Sequence, residues 1–260
     1  LYLLDTDTPK NTDDDRGVTR RLYAPDPRTR IKQELLLGIG GERLLRKLAI
    51  RPSVYHLNEG HSAFTALERI RAAMAEEGLS FWEAAEWVRG QTVFTTHTPV
   101  AAGNETFPRD IVEYYLGHVV QKAGLAWSDF WDLGRLNGSD DGQFHMTVLA
   151  LKTAARANGV SRLHGAVARH MWQPLWHGVP EPLVPIGAVT NGVHLASVVA
   201  PRMKALLDGH LGAGWERAPA DAPVWNQVDT IPDEALWAAK TAMKEALLER
   251  IREQVTERLH

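Results

Sequence analysis

Two hydrophobic periods alternate along this chain. Short β-branched or apolar runs at residues 53–58, 92–96 and 186–190 read as strands, that at 92–96 as a buried one. Longer stretches with apolar positions three and four apart lie between and after them. Residues 28–37, 42–49, 63–77, 80–90, 110–123, 127–134, 146–157, 161–176, 200–211 and 232–260 therefore predict helices. Residues 1–4 predict a further strand, followed by a polar loop over 5–21. The punctuation is of familiar kinds. Tyr23-Ala24-Pro25-Asp26-Pro27 is a turn leading into a helix start, and Gly38, Gly40 and Gly41 read as a helix break. Ser80 and Glu83 have capping-box spacing. Asn158-Gly159 ends the 146–157 helix, with the glycine placed for a positive φ. Pro180, Pro182 and Pro185 stiffen a connector, residues 137–142 form a loop, and 209–223 is a Gly/Ala/Pro-rich linker. Trp82 and Trp87 fall at core spacing, and Tyr114-Tyr115 is set to pack in the core or on a partner. No internal repeat is visible.

Strands alternating with helices predict an α/β fold with a largely parallel sheet, covered on both faces. Parallel strands point one way, so the loops after them gather at one edge, where such sheets bind ligands. Three loops then share that edge: Asn58-Glu59-Gly60-His61, His97-Thr98-Pro99 and Asn191-Gly192-Val193-His194. Amides, imidazoles and one carboxylate suit a ligand rich in hydroxyls rather than a strongly anionic nucleotide.

Composition narrows the choices. The 260 residues carry a formal charge of -3, with basic and acidic residues interleaved, which argues against a nucleic-acid surface. There are no cysteines, so disulfides and thiolate metal sites are excluded. No apolar run approaches the roughly 18 residues of a membrane span, and no signal peptide opens the chain, so a cytoplasmic setting is expected. Leu1 begins what reads as a strand under way, and the last helix has no stop signal, so the expectation is part of a longer protein. Several motifs lead nowhere. Gly38-Ile39-Gly40-Gly41 lacks the strand before and the Lys-Ser/Thr after that a phosphate loop needs. His56 and His61 are five apart at a strand end, not one helical turn apart as a zinc helix requires. Asp13-Asp14-Asp15 reads as a solvated loop, and the glycosylation-type triplets at Asn104 and Asn137 as chance.

The stretches 54–64 (V-Y-H-L-N-E-G-H-S-A-F), 93–99 (V-F-T-T-H-T-P), 157–164 (A-N-G-V-S-R-L-H) and 189–194 (V-T-N-G-V-H), with 2–7 and 30–34 (R-I-K-Q-E), resemble the α-glucan (glycogen/starch/maltodextrin) phosphorylase family in its shorter bacterial form. The resemblance covers nearly the whole chain in order. It implies a Rossmann-like domain of an incomplete two-domain glycosyltransferase of the GT-B type. Residues 1–195 would be the later part of the first domain, and 196–260 a helical connection and the start of the second. The implied reaction is phosphorolysis of terminal α-1,4-linked glucose from α-glucan or maltodextrin, with inorganic phosphate, giving glucose 1-phosphate. Its implied cofactor is pyridoxal phosphate, which the resemblance puts on a lysine in a Gly/Ser-rich segment of the second domain, beyond this chain's end; none of the lysines here has the setting of a Schiff base. The piece alone is then expected to be inactive, and the whole protein to be a possible homo-oligomer.

Residue roles follow from the same resemblance. His97 matches the histidine that contacts the donor glucose and whose carbonyl faces the reacting carbon. Asn191 matches the asparagine that holds that glucose. Glu59 and His61 match the acidic residue and histidine beside the acceptor sugar, where the family usually has aspartate at the position of Glu59; Asn58 joins them as a substrate-binding candidate from its own place at the strand end. Tyr23 and Asp26 match a mobile gate loop, shortened here. Val198 departs from the tryptophan usual in this branch. A glucan synthase-like glycosyltransferase and a non-catalytic glucan-binding module are the competing readings; the second calls for an exposed aromatic platform.

Overall fold

The computed structural model describes residues 1–136 and 141–258, and the chain falls into two compact units, Leu1–Asn191 and Gly192–His260. In the first, helices α1 (Asp13–Arg16), α2 (Pro27–Leu35) and α3 (Gly41–Lys47) precede strand β1 (Tyr55–Asn58). Then come α4 (Thr65–Glu77), α5 (Phe81–Gly90), β2 (Thr92–Thr96), β3 (Thr106–Pro108), α6 (Arg109–Lys122) and α7 (Trp127–Gly134). The unit closes with β4 (Gln143–His145), α8 (Met146–Lys152), β5 (Arg156–Gly159), α9 (Arg162–Trp172) and β6 (Ile186–Ala188). A four-stranded sheet runs β1-β2-β5-β6, parallel throughout, and β3 and β4 form a separate antiparallel ribbon. Leu57, Phe94 and Ile186 anchor the sheet in a core shared with Phe64, Phe107, Phe130, Phe144 and Leu149. Burying such side chains is the main favourable term in holding the layers together.

Several sequence expectations change here. Residues 1–4 form no strand; Leu1, Tyr2 and Leu3 are exposed, and no neighbouring strand completes their ladder. Residues 13–16 are helical rather than loop. Thr12 caps α1, accepting from Asp15 N–H at 3.3 Å, while Lys32 Nζ meets Asp15 at 2.9 Å and Asp14 at 3.6 Å. The glycines at 38–41 do not break the helix. A π-helical turn, Leu36–Gly40, carries the helical path from α2 into α3. Gly38 is there for close approach, because a Cβ on it would sit 2.8 Å from Thr65 N and 2.9 Å from Phe64 Cβ.

The largest revision concerns residues 146–157. The helix stops at Lys152, and Arg156–Gly159 is a strand inside the sheet, paired with β2 on one side and β6 on the other. The run Ala154-Ala155-Arg156-Ala157 has helical propensity. Two flanking strands with open hydrogen-bonding edges outweigh it. Gly159 accordingly lacks the positive φ expected of a helix stop. The β3–β4 ribbon is also not legible in the sequence, since each strand is only three residues long.

Trp82 and Trp87 are not core; they are 54% and 46% exposed, because α5 buries Ala84 and Val88 instead. Five helical positions put the two indoles about 140° apart around α5, so they make no joint platform. Tyr114 is exposed beneath the Arg28 guanidinium, and Tyr115 packs on the core. Of the expected 137–142 loop, residues 137–140, with the Asn137 triplet, lie outside the described residues.

The second unit contains α10 (Leu195–Val198), α11 (Pro201–Leu211) and α12 (Asp233–Arg258), with Leu211, Trp215 and Ile231 as its own small core. Val198 is exposed there. Among the described residues no helix is long and apolar enough to cross a membrane.

Candidate functional site

The parallel register places the ends of β1, β2, β5 and β6 on one edge, because Asn58 pairs with Thr95, Thr96 with Gly159, and Gly159 with Ala188. Glu59, the residue after β1, organises this rim. Its backbone has φ 71° and ψ 173°, a region almost reserved for glycine, which costs roughly 1–3 kcal/mol. That geometry lets its N–H reach Thr95 C=O at 2.8 Å while the side chain turns under the end of β2. There Oε2 accepts three hydrogen bonds: from His97 N–H at 2.7 Å, Thr98 N–H at 3.0 Å and Thr98 Oγ at 3.0 Å. Glu59 is only 8% exposed, and its Oε1 is buried without a partner.

His97 stands exposed at the rim, its Nε2 donating to Asn58 Oδ1 at 2.5 Å. Asn191 reaches the same edge, its N–H donating to Val160 C=O at 3.2 Å, one residue beyond β5. His97 follows β2 and Asn191 follows β6, with β5 between them; at about 4.8 Å per strand spacing, roughly 10 Å separates those two strand ends along the rim. Beneath them runs a cross-strand chain that sequence reasoning misses: His56 Nε2 to Thr95 Oγ1 at 2.7 Å, and Thr95 Oγ1 to Asn158 Oδ1 at 3.1 Å. Asn158 is hidden because the residues leading into its strand have helical preference.

His61 belongs to a second cluster. Its Nδ1 accepts from Arg30 Nη2 at 2.7 Å, which leaves a neutral ring's proton on Nε2. Arg30 is the hub: Nε donates to Glu105 at 2.7 Å, Nη1 to Gln33 at 3.2 Å, and Nη2 lies 2.9 Å from Glu34. The Tyr23 ring sits 5.1 Å under the guanidinium and 5.4 Å from the His61 ring. A cavity of about 510 Å³ opens beside these groups, lined also by Leu3, Leu22 and Leu37. Glu34, His61 and Glu105 bring ligand-type atoms within 4.8 Å of one another, and the Arg30 guanidinium contacts all three, supplying the positive charge there. Glu34 is 1% exposed and neither oxygen makes a hydrogen bond. Burial pushes its carboxyl up to about 7, while His61 and the Arg30 charge pull the other way. Arg30 and Glu34 sit one helical turn apart on α2, the signal by which the pair could have been found. Glu105 carries no such signal. Asp26 caps α2, accepting Thr29 N–H and Oγ1 at 2.8 Å each, and those bonds hold its carboxyl below the usual value.

The lysines do not fit pyridoxal phosphate. Lys152, half-buried, donates to the Asp132 and Arg135 carbonyls, Lys32 is paired with Asp15, and Lys204 with Asp208 and Glu216. Lys10, Lys47, Lys122, Lys240 and Lys244 are exposed.

Fold and rim together define an α/β protein whose parallel sheet gathers amide, imidazole and carboxylate groups at its carboxyl edge. The chain belongs to the carbohydrate phosphorylase family, whose model matches residues 41–260. It is 46% identical over 258 residues to a maltodextrin phosphorylase of Thermococcus litoralis, covering 99% of this chain and 30% of that protein. It is 41% identical over 263 residues to a glycogen phosphorylase of Mycobacterium tuberculosis, covering 97% and 30%. A glycogen phosphorylase of Aquifex aeolicus is 34% identical over 258 residues, covering 99% and 37%. The chain thus spans about 30% of the length of the first two relatives.

Proposed function

We propose that this chain supplies the glucose-holding rim of an α-1,4-glucan phosphorylase, which releases glucose 1-phosphate from the end of a maltodextrin or glycogen chain. The observation that carries this reading is the rim itself, with His97, Asn58, Glu59 and Asn191 at one sheet edge in a chain of the carbohydrate phosphorylase family. Residues 1–195 would then be the sugar side of the cleft and 196–260 the lead into a second domain. Pyridoxal phosphate, which would contribute its phosphate to the reaction, is assigned to sequence that the relatives have outside the matched stretch.

The geometry supports a particular task for Glu59. Thr98 N–H belongs to the peptide whose carbonyl is that of His97. A carboxylate holding that N–H fixes the peptide and leaves the His97 carbonyl pointing away from it. A fixed carbonyl dipole aimed at a glucosyl carbon gaining positive charge stabilises that charge without reorganisation. Glu59 thus acts on the reaction by aiming His97 rather than by touching sugar. Asn191 and the His97 ring orient the glucose, which lowers the barrier by removing lost freedom from the chemical step. His61, Arg30 and Tyr23 would bound the acceptor side.

The test uses the full-length protein: pyridoxal absorbance, and glucose 1-phosphate release from maltodextrin with inorganic phosphate. Both signals are expected, and His97→Ala should lower turnover at least tenfold. Loss of both signals removes the phosphorylase reading; unchanged turnover in His97→Ala removes the role given to that residue.

A further inference from the structure

Three hydrogen bonds run in series from the start of α9 to the loop after β6. Ser161 Oγ accepts His164 N–H at 3.0 Å, His164 Nδ1 accepts Val160 N–H at 3.1 Å, and Val160 C=O accepts Asn191 N–H at 3.2 Å. The last two bonds grip opposite sides of residue 160, so the imidazole and Asn191 are joined through a single short stretch of backbone.

The ring has little freedom. A Cβ on Gly159 would lie 2.9 Å from His164 Nδ1 and 2.8 Å from Gly165 N, so the imidazole rests directly on the end of β5. It is 7% exposed. Because Val160 is the donor, Nδ1 bears no proton, and the neutral ring carries its proton on Nε2. Nε2 is buried with no hydrogen-bond partner. An orphaned buried N–H is destabilising, so a histidine is a poor choice for stability alone. A leucine would fill the space without that orphan. What leucine lacks is an acceptor at the δ position, aimed at Val160.

We infer that His164 is a positioning residue for the glucosyl site: its Nδ1 fixes the backbone at Val160, and that backbone sets where Asn191 stands on the rim. The inference rests on the reading in which Asn191 holds the donor glucose. His164 itself touches no sugar.

The full-length protein, assayed with glucose 1-phosphate and maltodextrin in the synthesis direction, tests it. His164→Leu keeps bulk and removes the acceptor; His164→Asn keeps an acceptor at the δ position. His164→Leu is expected to lower kcat/KM for glucose 1-phosphate at least fivefold, partly through KM. His164→Asn is expected to stay within twofold of the parent, even if both variants melt earlier. In an Asn191→Ala background, His164→Leu should cost less than a further twofold, because both act on one contact. Should His164→Leu not fold, His164→Gln replaces it, since its amide reaches the ε rather than the δ position. Equal losses in the leucine and asparagine variants, or full additivity with Asn191→Ala, overturn the inference. A deficient Asn191→Ala beside an unimpaired His164→Leu overturns it while leaving the glucose-holding reading intact. An unimpaired Asn191→Ala removes that reading, and this inference with it.

Discussion

Glu59 and Glu34 are both buried carboxylates of the first unit, yet they are supported in opposite ways. Glu59 concentrates three hydrogen bonds on one oxygen, all from the two residues that follow β2. Glu34 has the Arg30 charge 2.9 Å away but no hydrogen bond, and burial pushes its carboxyl up to about 7. The first arrangement aims a backbone; the second holds a cluster together by charge. A buried carboxylate kept in place by directed donors can fix a neighbouring peptide. One kept in place by a single guanidinium is left sensitive to pH.

The largest effect that tests this contrast is on Arg30. Arg30→Met removes the guanidinium that contacts Glu34, Glu105 and His61 and breaks a buried ion pair. We expect a loss of about 3–5 kcal/mol of folding stability, read by denaturant unfolding. A loss under about 1 kcal/mol would show that the cluster is not held by charge.

Glu59→Gln comes next. The amide keeps an acceptor near the His97 and Thr98 donors but not the charge, and bonds to charged groups are worth about 1.5–3 kcal/mol. Turnover of the full-length protein should fall roughly ten- to a hundredfold, at about 1.4 kcal/mol per factor of ten, with KM for acceptor glucan nearly unchanged. A rise in that KM at constant turnover would instead mean that the carboxylate contacts the acceptor sugar.

The most gradual effect is a slope. Burial pushes the Glu34 carboxyl up from its ordinary value of 4.5 to about 7 in the fold. Below pH 4.5 it is protonated whether the chain is folded or not. Between 4.5 and about 7 the unfolded carboxyl ionises first, so the folded state loses stability as pH rises, by at most about 3 kcal/mol. Glu34→Gln should flatten that part of the curve of stability against pH. An unaltered curve would mean that Glu34 is ionised in the fold throughout.

Much of the rim is legible in the order of residues. Proline after His97 and the short β-branched runs mark where strands end, and parallel pairing then collects their ends. The link between Asn158 and Thr95 escapes for one reason: residues 154–157 look helical by local preference, and only pairing with β2 and β6 makes Arg156–Gly159 a strand. The Arg30 cluster is half legible, because helical spacing links Arg30 to Glu34 but nothing local links either to Glu105, 75 positions from Arg30. The tryptophans of α5 mislead in the other direction, since aromatic bulk at helical spacing does not say which face meets the core.

Local spacing and local stop signals are enough for the α/β class, the order of most elements and the residues at the strand ends, and the ordered sequence blocks are enough for the family resemblance. Packing in three dimensions alone makes Arg156–Gly159 a strand, puts Glu59 at the service of the peptides around His97, and joins Arg30 to Glu34, Glu105 and His61. Each of those depends on partners far along the chain, and hydrogen bonds and charge pairs of that kind exist only once packing has brought the partners together and removed water from between them.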